Sequence, residues 1–253
     1  MNSFLSYVGG KSLLADKIIP KIPPHKCYVE VFAGAAWLLF KKEPSKIEII
    51  NDINSDLVTL YRCVKNHPDE LVRYMRWLLI SRDEWTRFKE ENPESLTDIQ
   101  KAVRFFFLLK NSFSSKLDFS SWRVASTGLP SFNLLRIEQQ LSDAHQRLAR
   151  VFVENRPYQN IIQRFDRPET FFYLDPPYYY CEDYYGKGVF SRDDFQTLRD
   201  LLTGLKGQFI MSINDVAEIR KIFKTFKIEQ VKTQYSLSAK GVNQVHELLI
   251  SNF

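Results

Sequence analysis

A chain of 253 residues with 44% apolar content can bury one substantial core and carry one inserted subdomain, while an ordinary 26% of charged residues excludes wholesale disorder. Apolar runs such as Phe105–Leu109 are far too short to span a membrane. The net charge of +5 is concentrated: Lys101, Arg104, Lys110, Lys116, Arg123 and Arg136 stand against the single acid Asp118, an excess equal to the whole net charge.

The first elements alternate between strand and helix signals. Cys27 to Phe32 is a short β-rich run that enters a Gly/Ala turn and then a helical stretch from Ala36 to Lys42. Lys46 to Asn51 predicts a second strand, after which Asn54 or Ser55 can cap a helix beginning at Asp56. Strand, helix, strand, helix with short connections predicts a parallel α/β sheet.

From Asp56 to about Ser112 the apolar residues recur at helical spacing instead, as Leu57, Leu60, Tyr61 and Val64, then Leu71, Tyr74, Met75 and Leu78. Pro68 and Pro93 mark helix starts or breaks. Residues 114–133 are rich in Ser, Gly and Pro and read as an exposed loop, and Ile137, Leu141, His145 and Leu148 mark a further helix. The basic excess falls in this part, together with Phe105, Phe106, Phe107, Phe113, Phe119, Trp122 and Phe132. Cations neutralise phosphates and flat rings stack on bases. A solvated helix face over a small core explains the same residues, so a polyanionic partner needs support from elsewhere.

The α/β pattern then resumes. Strands are expected at Val151 to Glu154, Thr170 to Asp175 and Gln208 to Ser212, with helices at Arg192 to Leu205 and Val216 to Phe223. Ile228 to Tyr235 and Val245 to Ser251 are adjacent β runs with no helix between them, which predicts an antiparallel hairpin. The catalytic domain is therefore expected at 1–56 and 150–253, interrupted by a helical insertion at 57–149.

Tyr173-Leu174-Asp175-Pro176-Pro177-Tyr178 is the most informative segment. It places a carboxylate at the C-terminal end of an apolar strand, where ligands of open α/β sheets bind. Two prolines cannot extend the strand, and the rigid bend exposes the Pro176 carbonyl with Tyr178 just beyond. An exocyclic amino group needs two acceptors for its two hydrogens, and its base needs a face to stack on. Asp175, Pro176, Pro177 and Tyr178 are the candidate catalytic residues. A plain strand-terminating turn with a buried tyrosine is the alternative.

Val29 to Ala36 is a strand running into a small-residue turn and a helix, which lets a nucleoside-bearing ligand approach the backbone. Any βα turn favours Gly and Ala, and Ala36 and Trp37 break the dinucleotide GxGxxG pattern. Asp52 follows at the end of the next strand, about 20 residues on, where an acid commonly takes a ribose hydroxyl pair. A helix cap is its other role, and the two are compatible.

Several chemistries find no support. Ser6 to Ser12 contains Gly9-Gly10-Lys11, but Leu5 stands where a P-loop needs glycine, and no apolar strand precedes it. His25, His67, His145 and His246 have no metal-ligand spacing, so no metal is expected. No serine lies in GxSxG. Cys27, Cys63 and Cys181 form no CxxC and are odd in number, and the first residues resemble no signal peptide. A cytoplasmic protein with reduced thiols is expected.

Taken in order, Tyr7-Val8-Gly9-Gly10-Lys11, Glu30-Val31-Phe32-Ala33-Gly34-Ala35, Asn51-Asp52-Ile53-Asn54, the helical insertion, Asp175-Pro176-Pro177-Tyr178 and Glu247-Leu248-Leu249-Ile250-Ser251-Asn252 closely resemble the Dam-type family of DNA adenine-N6 methyltransferases. The resemblance spans nearly the whole chain and is weakest across the insertion. It departs from members with a second glycine in the turn, since this chain has Ala36. It implies a seven-stranded, mostly parallel, Rossmann-like methyltransferase sheet with a C-terminal antiparallel hairpin and an inserted helical target-recognition subdomain. It implies S-adenosylmethionine as cofactor, held by Tyr7, Lys11, Glu30, Phe32, Ala33, Gly34, Asp52, Ile53, Tyr158 and Asp175. The partner implied is double-stranded DNA, gripped through Lys110, Lys116 and Arg123. A cognate restriction nuclease is a further candidate partner, and a monomer is expected. The competing readings are methylation of cytosine N4, an RNA base or a protein glutamine, a non-catalytic DNA-binding module on the same core, and a helix-turn-helix regulator.

Overall fold

A computed structural model describes residues 1–5, 7, 11–112, 117, 119–123, 132–182, 188–235 and 243–253, with backbone alone at 234, 235 and 243–245. Helix α1 (Ser12–Ile18) precedes β1 (Cys27–Glu30), α2 (Trp37–Lys41) and β2 (Ile47–Asn51). Helices α3 (Ser55–Asn66), α4 (Pro68–Met75), α5 (Arg82–Glu90), α6 (Asp98–Asn111) and α7 (Leu134–Leu148) follow. Then come β3 (Val151–Glu154), α8 (Tyr158–Phe165), β4 (Thr170–Leu174), α9 (Arg192–Thr203), β5 (Gln208–Asn214), α10 (Ala217–Ile222), β6 (Lys227–Tyr235) and β7 (Asn243–Ser251).

The strands form one seven-stranded sheet in the order β3-β2-β1-β4-β5-β7-β6. The first five run parallel, and β7 pairs antiparallel with both β5 and β6. The expected hairpin is present, and its return strand β7 is wedged between β5 and β6. Strand order reverses between β1 and β4, the switch point at which open α/β sheets leave a crevice.

Alternation along the strands sorts residues onto two faces. In β4 every residue is buried, as expected of a strand covered on both sides. Phe171 and Tyr173 point into one apolar cluster with α1, α2 and the helices α3 to α7, whereas Phe172 and Leu174 point into a second with α8, α9 and α10. The expected insertion at 57–149 thus shares its core with one face of the sheet: Phe105, Phe106, Leu141 and Leu148 belong to the same cluster as Tyr28 and Phe171.

Local signals explain the boundaries. Asn54 caps α3 by accepting from the Leu57 N–H at 3.1 Å, Pro68 occupies the first turn of α4, and Thr97 with Gln100 forms a capping box on α6. Helices α1 and α8, of seven and eight residues, were not anticipated from the sequence. No described helix is long and apolar enough to cross a membrane.

Candidate active site

A cavity of about 350 Å³ opens at the C-terminal ends of β1, β2 and β4, beside the switch point. The turn after β1 forms its floor. Gly34 has φ +47°, and a Cβ there would stand 3.3 Å from the Tyr7 ring, so the backbone conformation and the close approach both favour glycine. Ala36 is also left-handed, at φ 49°, a conformation that costs a non-glycine residue about 1 kcal/mol. This is the position at which the turn departs from a second glycine.

Asp52 ties the two βα turns together. Its carboxylate accepts from the Gly34 N–H and the Asn54 N–H, both at 2.9 Å, and desolvation raises its pKa despite those bonds. The cap of α3 falls to Asn54, leaving Asp52 at the cavity wall. Asn51, buried, donates to the Val31 carbonyl at 2.9 Å and accepts from the Arg156 N–H at 2.9 Å, which fixes the loop after β3 against β1. Glu30 is fully buried between the Tyr28 hydroxyl at 3.1 Å and the Leu39 N–H at 3.2 Å. Burial pushes its carboxyl up to about 8, against the pull of those two donors.

One side of the cavity is aromatic. Phe32, Tyr158 and Phe190 lie with ring centroids 5.6 to 6.1 Å apart. The Tyr158 hydroxyl donates to Asp194 Oδ1 at 2.8 Å, and the other oxygen of Asp194 accepts from the Ser191 N–H that starts α9. Tyr7, Ile53 and Pro177 also line the cavity.

Asp175 sits at the mouth of β4. Its Oδ1 accepts from Ser212 Oγ at 3.1 Å and faces Lys11 Nζ at 3.2 Å, and neither contact uses Oδ2. Ser212 Oγ is in turn 2.7 Å from the Tyr173 hydroxyl. Desolvation pushes the Asp175 carboxyl up to about 6; Lys11 pulls it down and Glu247 pushes it up. Lys11 is buried, bonds the Tyr178 hydroxyl and lies 4.1 Å above that ring. Beyond Tyr178, Asn214 exchanges two 3.0 Å hydrogen bonds with the backbone of Tyr179. The tetrapeptide Asp175-Pro176-Pro177-Tyr178 is therefore clamped from β5 and from the segment before α1.

A family model for D12 class N6 adenine-specific DNA methyltransferases matches residues 7–237, the stretch that holds both the cavity and the tetrapeptide. The chain belongs to this family. Its similarity to individual members runs end to end. It is 27% identical to the Type II methyltransferase M.MjaIII of Methanocaldococcus jannaschii, covering 99% of this chain and 98% of that protein. It is 27% identical to the DNA adenine methylase of Escherichia coli K12, covering 98% and 94%. Against the Type II methyltransferase M1.LlaDCHI of Lactococcus lactis subsp. cremoris the identity is 22%, covering 100% and 96%. As a D12 class methyltransferase the chain is an adenine-specific enzyme, and the Dam-type resemblance of its motifs agrees with the match.

The structure gathers every residue expected around the cofactor, with Tyr7, Lys11, Glu30, Phe32, Ala33, Gly34, Asp52, Ile53, Tyr158 and Asp175 all lining the one cavity. Ser212, Asn214 and Phe190 were not singled out, and Asn51 and Glu247 stood in quoted motifs without an assigned role. Glu247 had a legible signal, an acid inside an apolar strand; the serine, the asparagines and the phenylalanine sit in patterns that any strand or turn would show.

The basic stretch divides differently. Arg104 is buried and donates to the Phe88 carbonyl at 2.6 Å, and Phe105, Phe106 and Phe107 are core residues, so none of these reaches a base. Lys110 is half-buried, donating to the Phe4 carbonyl at 3.0 Å, and desolvation pushes its ammonium down to about 8. Arg123 is exposed and held by an N–H bond to the Asn111 carbonyl at 2.7 Å. Arg136 is also exposed, and Lys116 lies outside the described residues.

Proposed function

We propose that this enzyme transfers the methyl group of S-adenosylmethionine to the N6 amino group of an adenine flipped out of double-stranded DNA. The observation that carries the reading is the Asp175 carboxylate at the switch point, with Oδ1 engaged by Ser212 and Lys11 and the backbone just after Tyr178 fixed by Asn214.

The cavity residues fit this cofactor. Asp52 offers carboxylate oxygens suited to a ribose hydroxyl pair, and Phe32, Tyr158 and Phe190 make a wall for a flat purine. Glu30, an acid kept from its charge by burial, suits a cationic ligand that would restore it. Bound S-adenosylmethionine supplies an electrophilic methyl carbon on a sulfonium.

This chain's residues do the rest. Adenine N6 inside a duplex is paired and stacked, and extruding the base costs a few kcal/mol, offset by stacking and hydrogen bonds in the pocket. The Tyr178 ring stacks on the extruded base. Asp175 and the Pro176 carbonyl accept the two amino hydrogens and turn the nitrogen lone pair out of conjugation. Catalysis is then orientation plus stabilisation of positive charge developing on N6, and as the N–C bond replaces the S–C bond the methylated nitrogen releases its surplus proton to solvent. Segment 57–149 presents DNA contacts, with Arg123 as the exposed cation among the expected residues that are described.

Transfer of labelled methyl groups to duplex DNA, with sequencing for N6-methyladenine, tests the reading. The wild-type chain should methylate adenine, and Asp175→Ala should lose at least about a thousandfold in turnover with an unchanged melting temperature. Near-normal turnover in that variant would sink the mechanism.

A further inference from the structure

Strand β7 carries an acid where its neighbours are apolar. Glu247 is fully buried and is followed by the buried Leu248, Leu249 and Ile250. A carboxylate taken out of water costs several kcal/mol unless a partner compensates it. That partner is Lys11, whose Nζ lies 3.3 Å from Glu247 Oε2 and 3.2 Å from Asp175 Oδ1. One buried ammonium therefore bridges two carboxylates brought together from β4 and β7.

Register explains how β7 reaches the site. Glu247 pairs with Asn214 at the C-terminal end of β5, and Ser212 and Asn214 share one face of that strand. Ser212 bonds the Asp175 side chain and Asn214 bonds the Tyr179 backbone, while Glu247 engages Lys11. Two neighbouring strands thus supply one side chain that touches Asp175 directly, one that fixes the backbone just after Tyr178, and one that engages the Lys11 shared by Asp175 and Tyr178.

Charge gives the arrangement a chemical consequence. With Lys11 alone, Asp175 would belong to a neutral ion pair, and the ammonium would oppose positive charge appearing on a nearby nitrogen. A second carboxylate returns the cluster to a net charge of about −1, the sign that stabilises the amino group as its lone pair attacks. We infer that Glu247 is a positioning residue for methyl transfer, acting through Lys11 to hold Asp175 and Tyr178 in place and to keep the acceptor cluster negative. The inference rests on Asp175 being the amino-group acceptor.

Among the described residues, the titratable groups facing Asp175 are Lys11, Glu247, Glu30 on β1 and Tyr173 on β4, with Tyr178 beyond. Lys11 lowers the Asp175 pKa and Glu247 raises it. Removing the Glu247 charge should therefore lower the pH at which Asp175 titrates, and removing the Lys11 charge should raise it. Simple damage to the fold would not move the two profiles in opposite directions.

The experiment compares Glu247→Gln, Glu247→Asp and Lys11→Met in full-length enzyme, with pre-steady-state methylation of duplex DNA followed across pH. Glu247→Gln should lower the plateau rate on the order of tenfold, leave KM for DNA and for S-adenosylmethionine within about twofold, and shift the acid limb to lower pH. Glu247→Asp should recover part of the rate, and Lys11→Met should shift the limb to higher pH. An unmoved acid limb in Glu247→Gln, or a loss expressed only in KM, overturns the inference. Should Glu247→Gln fail to fold, the Lys11→Met limb decides, and an unmoved or lowered limb is equally fatal. Asp175→Ala in the same assay separates the two ideas. Retained turnover there defeats the acceptor reading itself, whereas lost turnover with an unmoved Glu247→Gln profile defeats this inference alone.

Discussion

The Tyr178 side chain carries two interactions that mutagenesis can pull apart. In the proposed mechanism its ring is the surface offered to an extruded base, and its hydroxyl bonds Lys11, which also faces Asp175. Stacking of a base on an aromatic ring is worth about 1–3 kcal/mol, and one hydrogen bond to a charged group about the same. Tyr178→Ala loses both and should cut turnover roughly a hundredfold or more. Tyr178→Phe keeps the ring and should fall between that variant and wild type, its loss appearing in kcat because Lys11 is left without one of its acceptors. Steady-state kinetics of the pair check this, and a Phe variant as poor as Ala would make the hydroxyl the main contributor. At this scale the sequence was most legible where chemistry demands a residue type. Asp175, Asp52 and Gly34 stand where expected because a carboxylate at a strand end and a glycine in a left-handed turn have few substitutes. Ser212 and Asn214 were illegible because their roles depend on β5 lying beside β4, a fact of pairing that no local pattern encodes.

At the scale of elements, strands were read closely, since period-two alternation and bounding turns mark them, and β3 was read to the residue. Helix α6 was read as a helix, with the use of its residues left open between a small core and a polyanionic partner. Its run of Phe105, Phe106 and Phe107 is buried all round, between α3, α5 and the loop carrying Phe132, and its cation Arg104 closes the end of α5. Charge counted along a sequence does not distinguish a cation that bonds a carbonyl from one that meets solvent. Lys110 and Arg123 therefore separate. Arg123→Ala should weaken DNA binding and flatten its salt dependence by about one unit of slope, with the melting temperature unchanged. Lys110→Ala should lower the melting temperature instead, because the Phe4 carbonyl loses its donor, at a cost of about 1–3 kcal/mol. Fluorescence anisotropy at several salt concentrations, run beside thermal melts, tests both variants. Equal loss of salt slope from both would show that Lys110 leaves its carbonyl to meet phosphate.

Among the described residues two apolar clusters, one on each face of a single sheet, hold the molecule, and the helical segment shares the first of them with the sheet. Leu57, Leu60 and Tyr61 of α3 pack in the same cluster as Tyr28, Phe171 and Tyr173 of the central strands, and the Tyr61 hydroxyl donates to the Gly34 carbonyl at 2.7 Å. A change of pattern from strand–helix alternation to helices alone marks the helical insertion at 57–149; that pattern reports only local period, whereas the shared cluster is a matter of which faces meet. Cooperative unfolding follows from contiguity of the core. Calorimetry of the intact chain should therefore give one transition, with van't Hoff and calorimetric enthalpies equal, in place of separate melting of the 57–149 segment. Phe106→Ala, which empties volume in α6 outside the cavity lining, should lower that single transition by about 3–5 kcal/mol of stability and move the cavity's melting with it. Two resolved transitions, with only the lower one shifted by Phe106→Ala, would mean that the helical segment melts independently and that the contacts between Tyr61 and the Gly34 turn are a docking of separate units.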